Sequence, residues 1–148
     1  MKITIYSWSI RYLMDMTPAH RAVEMEDLEA LHDLIDRGVD INEEHEGLTL
    51  LHHAIDVEID SHTQTGDPLH VDMTAYLLAR GADPQRRSGM GSGISAEHMA
   101  HTCGHWLASC LIAAWIRART EAAADARQRR PGGGQQMHRP ASGPPPLG

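Results

Sequence analysis

The chain contains no phenylalanine, and three tryptophans and three tyrosines are the only aromatic residues among its 148. Any core must therefore rest on Leu, Ile, Ala, Val and Met, and this length is enough for one modest domain. No 18 consecutive residues are apolar, so the sequence predicts no transmembrane helix. The first residues also lack the apolar run of a signal peptide. We therefore expect a soluble, cytoplasmic protein.

Cysteine is also scarce. Cys103 and Cys110 are the only two, and they stand seven residues apart in what we interpret as one helix. Two helical turns would separate them by about 10 Å, which is too far for a disulfide. Unpaired thiols favour a reducing, cytoplasmic compartment.

Lysine is nearly absent, with one residue against twelve arginines, and the net charge of −7 is unevenly distributed. Residues 24–60 hold 13 acidic side chains and one Arg, whereas residues 117–148 hold six Arg and two acidic side chains. An acidic field of this kind repels nucleic acid and membranes and favours a basic protein partner. The alternative is a solvated acidic surface that only maintains solubility.

A pattern of two short helices recurs along the chain. In the first copy, Thr17 is a helix N-cap followed by Pro18 at the first helical position. Apolar residues at helical spacing follow in 28–35, and Gly38 stands where a left-handed C-cap is needed. The second copy begins at Thr49 and ends at Gly81. The third has no glycine exit, so we expect it to end in a capping helix that runs through residues 115–116.

The second copy is longer than the first. Thr17 to Gly38 spans 21 residues and Thr49 to Gly81 spans 32, which places an insertion of 11 residues at 58–68. Its turn-forming residues predict a loop. Residues 1–13 are interpreted as an N-terminal extension or cap. Residues 119–130 are compatible with a helix, and the Pro- and Gly-rich residues 131–148 are predicted to be disordered.

Thr-Pro-Ala-His-Arg-Ala at 17–22 and Thr-Leu-Leu-His-His-Ala at 49–54 resemble the Thr-Pro-Leu-His-x-Ala signature of ankyrin repeats. Residues 95–100 match more weakly and are followed by a Gly-His turn. The resemblance implies an all-α solenoid of three helix–turn–helix repeats (15–43, 44–86 and 90–118, in a domain of 14–118) with short extended fingers. It also implies that each signature histidine hydrogen-bonds the N-cap hydroxyl. The structural cap residues are then Thr17, His20, Thr49, His52, Ser95 and His98.

The same resemblance implies partner binding at a concave surface formed by the fingers and first helices. We therefore predict a non-enzymatic, monomeric interaction module that binds a basic protein, with no nucleic acid, membrane or cofactor involved. A more specific hypothesis is a bacterial immunity protein that neutralises a toxin. The predicted partner-binding residues are Glu24, Met25, Glu43, Glu44, His45, Glu46, Leu48, Asp56, Val57, Ser92, Ile94 and Thr102.

The alternative hypothesis is a metal-binding protein that uses the His-rich segment around the insertion. The available donors are His52, His53, Asp56, Asp60, His62, His70 and Asp72. Their spacing fits no standard metal motif. Residues 98–105 also contain three His and one Cys, but two of these histidines belong to the repeat pattern. No nucleophile elbow, phosphate-binding loop or His-Glu-x-x-His motif is present, so no catalytic residue is predicted.

Overall fold

The computed structural model describes residues 12–130 and Gly143. The predicted extension up to residue 11 and the predicted disordered tail, apart from Gly143, lie outside these residues. Residues 12–15 form a helical turn, and no helix among the described residues is long and apolar enough to cross a membrane. The described chain is all-α apart from one hairpin. Its elements are α1 Pro18–Glu24, α2 Leu28–Asp36, β1 Glu44–His45, β2 Leu48–Thr49, α3 Leu50–Thr65, α4 Asp72–Ala79, a 3₁₀ turn Gly89–Gly91, α5 Ala96–Thr102 and α6 Trp106–Gln128.

The predicted helix starts are confirmed. Thr17, Thr49 and Ser95 are the N-caps of α1, α3 and α5. Each side-chain oxygen accepts a hydrogen bond from the backbone N–H three residues later, at 3.2, 3.4 and 3.1 Å. These bonds satisfy donors that the first turn of a helix leaves unpaired.

The glycine exits are confirmed as well. Gly38 and Gly81 follow α2 and α4 with φ of 101° and 100°, where an L side chain is strained. The chain then leaves Gly38 towards the hairpin, in which β1 and β2 pair antiparallel. Glu46 and Gly47 join the strands with φ of 50° and 79°, as tight hairpin turns require.

The helices form three pairs whose first members pack in a row. α1 contacts α3, and α3 contacts α5, while α4 contacts α6. One continuous cluster of buried apolar side chains runs through these contacts. The largest fully buried apolar side chains are Val23, Leu31, Leu50, Leu51, Ile55, Leu77 and Ile112.

The loop predicted for the insertion is wrong over most of its length. α3 continues to Thr65, so residues 58–65 are helical and the chain leaves the helix only at Gly66, which has φ of 76°. The physical reason at the start of the segment is that Glu58 lies on the buried side of α3 and is fully enclosed there, so tertiary contacts hold this turn, whereas residues 62–65 are exposed. The prediction of a loop holds for residues 66–68.

The last helix passes through residues 115–116 as expected and continues over the predicted helix-compatible segment to Gln128. The placement of both cysteines on one helix is wrong. Cys103 is the C-cap of α5 and Cys110 lies within α6, because Gly104 turns the chain between them with φ of 75°. Both thiols are free and exposed.

Candidate partner-binding face

Carboxylates from three separate elements meet on one surface. Glu24 ends α1, Glu46 stands at the tip of the hairpin and Asp56 lies on α3. Partial burial raises the pKa of Tyr12, and the charges of these three carboxylates raise it further. All three therefore lie close enough to the Tyr12 hydroxyl to oppose its ionisation. Together with Asp60, one turn beyond Asp56, we call them the acidic face.

The acidic face is electrostatically crowded. Partial burial raises the pKa of Asp56, and the neighbouring charges of Asp60 and Glu24 add to the increase. Burial disfavours the charged form of the carboxylate, and like charges add to this effect. None of the ion pairs between described residues involves Glu46, Asp56 or Asp60. A bound cation would relieve this repulsion, as the neighbouring His53 already does for Asp56.

Two of the predicted partner-binding acids are engaged inside the protein. The Thr17 hydroxyl donates to Glu43 Oε1 at 2.5 Å. Glu44 Oε2 accepts from the backbone N–H of Met90 at 2.9 Å, and its Oε1 lies 3.7 Å from Arg86 Nε. These carboxylates brace the hairpin against α1 and the 3₁₀ turn, so they are less available to a partner than Glu46.

The remaining predicted contacts divide into two groups. His45, Leu48 and Val57 are half-buried, whereas Met25 is 63% exposed beside Glu24. Ser92, Ile94 and Thr102 are exposed on the 88–95 segment and at the end of α5. No described hydrogen bond or ion pair joins this last group to the acidic face, so we treat the two as separate surfaces.

The structural role expected for His52 is confirmed. Its Nδ1 accepts from the Thr49 hydroxyl at 2.7 Å, and its Nε2–H donates to the backbone oxygen of Ile94 at 2.8 Å. This assignment follows because a backbone oxygen only accepts. Burial lowers the pKa of His52, which keeps the imidazole neutral.

The same role is wrong for His20 and His98. The Thr17 hydroxyl is taken by Glu43, and the His20 ring instead places its Nδ1 2.9 Å from Nδ1 of His53. The Nε2 atom of His53 lies 2.8 Å from Glu24 Oε2. The His98 ring is exposed, and only its backbone N–H reaches the N-cap. The signature predicts which positions carry a histidine, but it does not predict which groups the rings of His20 and His98 contact.

A buried polar network was missed by the sequence reasoning. Glu58 is fully enclosed and accepts hydrogen bonds from the Thr74 backbone N–H (3.0 Å), the Thr74 hydroxyl (2.7 Å) and His105 Nε2–H (3.0 Å). His105 Nδ1 accepts from the N–H of Ala108, which fixes the tautomer that donates to Glu58. The available signal was spacing, because Glu58 follows Ala54 and Ile55 on the apolar side of a helix.

The histidine donors of the metal hypothesis have partners within the protein. His62 contacts the backbone oxygen of Asp67, His70 lies 3.1 Å from Glu26, and His52 and His53 are engaged as described above. Among residues 12–130 and 143, no group of three or more His, Cys, Asp or Glu side chains is arranged to hold a metal ion.

Neither a scan against models of known protein families nor a search of curated proteins finds a match to this chain.

Proposed function

We propose that this chain is a non-enzymatic interaction module whose acidic face binds a basic protein. The observation that carries the proposal is the convergence of Glu24, Glu46, Asp56 and Asp60 from three elements, where partial burial and the neighbouring carboxylates raise the pKa of Asp56. A cationic partner surface converts that repulsion into attraction and is steered towards the face before contact.

Exposed apolar groups beside the carboxylates support a protein as the partner. Tyr12 is 46% exposed and Met25 is 63% exposed. Aromatic and methionine side chains are enriched at protein interfaces, where they supply buried area at the centre of a polar rim. A face made only of carboxylates would suit a free cation equally well, so these two side chains favour a macromolecule.

We further propose that the three helix pairs are ankyrin-like repeats. Support comes from the matching N-caps Thr17, Thr49 and Ser95, the glycine exits at Gly38 and Gly81, and the hairpin that follows the first exit. In such a stack each unit buries its apolar sides against its neighbours, and the exposed inner surface is left for binding.

The more specific form of the proposal is an immunity protein that masks the cationic active site of a toxin, acting as a monomer in the cytoplasm. A small module with an acidic face can occupy a site that otherwise binds a polyanionic substrate.

The test compares two triple variants with equal charge changes. Glu46→Gln/Asp56→Asn/Asp60→Asn neutralises three carboxylates of the acidic face, and Glu29→Gln/Glu97→Gln/Glu121→Gln neutralises three exposed carboxylates on α2, α5 and α6. Partners are captured from the native host with the wild type, and their Kd values are measured at 50 and 300 mM salt. We expect the first variant to weaken binding about tenfold or more and the second to leave it within about twofold. Equal loss in both variants, or a Kd that does not change with salt, would refute the proposal.

A further inference from the structure

The acidic face is connected to the interior by two histidines. His20 and Glu24 lie one turn apart on α1, and both point towards His53 on α3. The His53 side chain is 6% exposed and that of Glu24 is 35% exposed, while His20 is fully buried. Glu24, His53 and His20 thus form a chain of polar groups, which we call the triad, that runs from the surface into the interior.

The two imidazoles meet edge to edge. Their ring centroids are 5.1 Å apart with an angle of 21° between the planes, and the two Nδ1 atoms are 2.9 Å apart. This separation is shorter than the roughly 3.5 Å at which ring faces stack, so it is a hydrogen bond. One proton must therefore lie between the two nitrogens, since two bare lone pairs or two N–H groups would repel.

Counting protons along the triad gives two states. A carboxylate only accepts, so His53 Nε2–H donates to Glu24. When the triad holds two protons, neutral His53 accepts from His20 Nδ1–H, and His20 Nε2 is bare. When it holds three, His53 is doubly protonated and donates to both neighbours, and His20 carries its proton on Nε2. The first state has a net charge of −1 and the second has none.

The surroundings keep His20 neutral in both states. Burial and the neighbouring His53 and His45 lower the pKa of His20 to about 4, which disfavours a second proton on its ring. The backbone oxygen of Glu43 opposes this decrease. Among the described residues, His20 Nε2 is buried and has no hydrogen-bond partner, as expected for the bare nitrogen of the two-proton state. The other titratable groups that face the triad are His45 on β1, with its ring 5.5 Å from His20, Asp56 on α3 and Tyr12.

We infer that Glu24, His53 and His20 titrate as a single unit that takes up one proton at His53. This proton makes the charge of the acidic face less negative by one. No heavy atom has to move between the two states, because the bond between His53 and His20 persists while its donor and acceptor exchange roles. When His53 takes up the proton, His20 therefore changes its tautomer but stays neutral.

The test is a long-range ¹H–¹⁵N NMR titration of the imidazole nitrogens in the full chain between pH 5 and 8.5, which distinguishes the tautomers. We expect His20 to change from Nδ1–H to Nε2–H with the same midpoint at which His53 becomes doubly protonated. Different midpoints, or a His20 tautomer that stays constant, would overturn the inference.

Two variants distinguish the direct contact between Glu24 and His53 from the longer-range electrostatic effect of the acidic face. Glu24→Gln keeps the shape of a half-exposed side chain but removes the charge that stabilises the three-proton state, so the shared midpoint moves to lower pH. Asp60→Asn removes the same charge from the same face, at a side chain with no described hydrogen bond to a histidine. Asp60→Asn should therefore shift the midpoint less than Glu24→Gln does. Equal shifts in both variants would show that Glu24 does not titrate together with the two histidines. This experiment needs no partner, so its failure would leave the proposed function untouched.

Discussion

Glu58 offers the sharpest test of how the helix pairs are joined. Its carboxylate has no exposed surface and faces three donors, two on Thr74 and one on His105. In Glu58→Gln the amide keeps the shape of the side chain, but its NH₂ group replaces one of the accepting oxygens. In either orientation of the amide, its N–H faces a group that donates to Glu58 in the wild type, so two donors oppose each other. The remaining hydrogen bonds are weaker because their acceptor is no longer charged.

We expect Glu58→Gln to lower the free energy of unfolding by about 3 kcal/mol. One buried donor left unsatisfied costs about 1–3 kcal/mol, and hydrogen bonds to a charged group are worth more than neutral ones. The assay is urea unfolding at pH 7 followed by far-UV circular dichroism, with the slope m compared to confirm that the same surface is exposed. Asp60→Asn, two residues along the same helix and exposed, is the control and should change the free energy by less than about 0.5 kcal/mol.

Thr74→Val completes a double-mutant cycle on the same network. Because Val removes the hydroxyl that donates to Glu58 at 2.7 Å, the two substitutions share one interaction and their effects should not add. A loss below about 1 kcal/mol for Glu58→Gln, or strict additivity with Thr74→Val, would refute the description of Glu58 as a charged acceptor for three donors.

Three further predictions use the same unfolding assay. Thr49→Ala removes an oxygen that both caps α3 and hydrogen-bonds the His52 ring, so it should lower the free energy of unfolding by about 2 kcal/mol. Ser95→Ala removes an exposed cap and should lower it less. Equal losses in the two variants would contradict this prediction. Gly81→Ala should cost about 1–2 kcal/mol through backbone strain alone, since φ is 100° and no atom lies within 4 Å of the added Cβ; an unchanged stability would be inconsistent with that conformation. The pKa of His20 is about 4 in the folded protein against 6.5 unfolded, so the unfolded state binds more protons in this window and stability falls as pH falls below 6.5. Between pH 8 and 5 the wild type should lose about 2 kcal/mol more than His20→Asn, and identical pH profiles would count against a buried neutral His20.

Features set by local rules could be predicted from the sequence. The N-caps at Thr17, Thr49 and Ser95 and the glycine exits at Gly38 and Gly81 depend on hydrogen bonds within four residues or on the φ of a single residue. Composition also placed the acidic side chains in the right region, because the elements that carry Glu24, Glu46 and Asp56 are neighbours along the chain.

Features set by distant partners could not be predicted. The ring of His20 is held by His53, 33 residues away, although the local motif favoured Thr17. Glu58 and its turn-forming neighbours suggested a loop, whereas its hydrogen bonds with Thr74 and with His105, 47 residues away, hold residue 58 within α3. In both cases a long-range hydrogen bond between buried groups outweighed a short-range preference.

The position of Glu58 has a consequence for how the protein unfolds. Its carboxylate lies on α3 and accepts hydrogen bonds from two groups of Thr74 on α4 and from the ring of His105, the N-cap of α6, so the second and third helix pairs share a buried charge. If the third pair frayed away on its own, that charge would keep its burial while losing a partner. Arrays whose units touch only through apolar surfaces can unravel from an end, one unit after another. Here departure of the terminal pair would remove one donor from a buried carboxylate, so we expect the second and third pairs to melt together and their amide protons to exchange as one cooperative block.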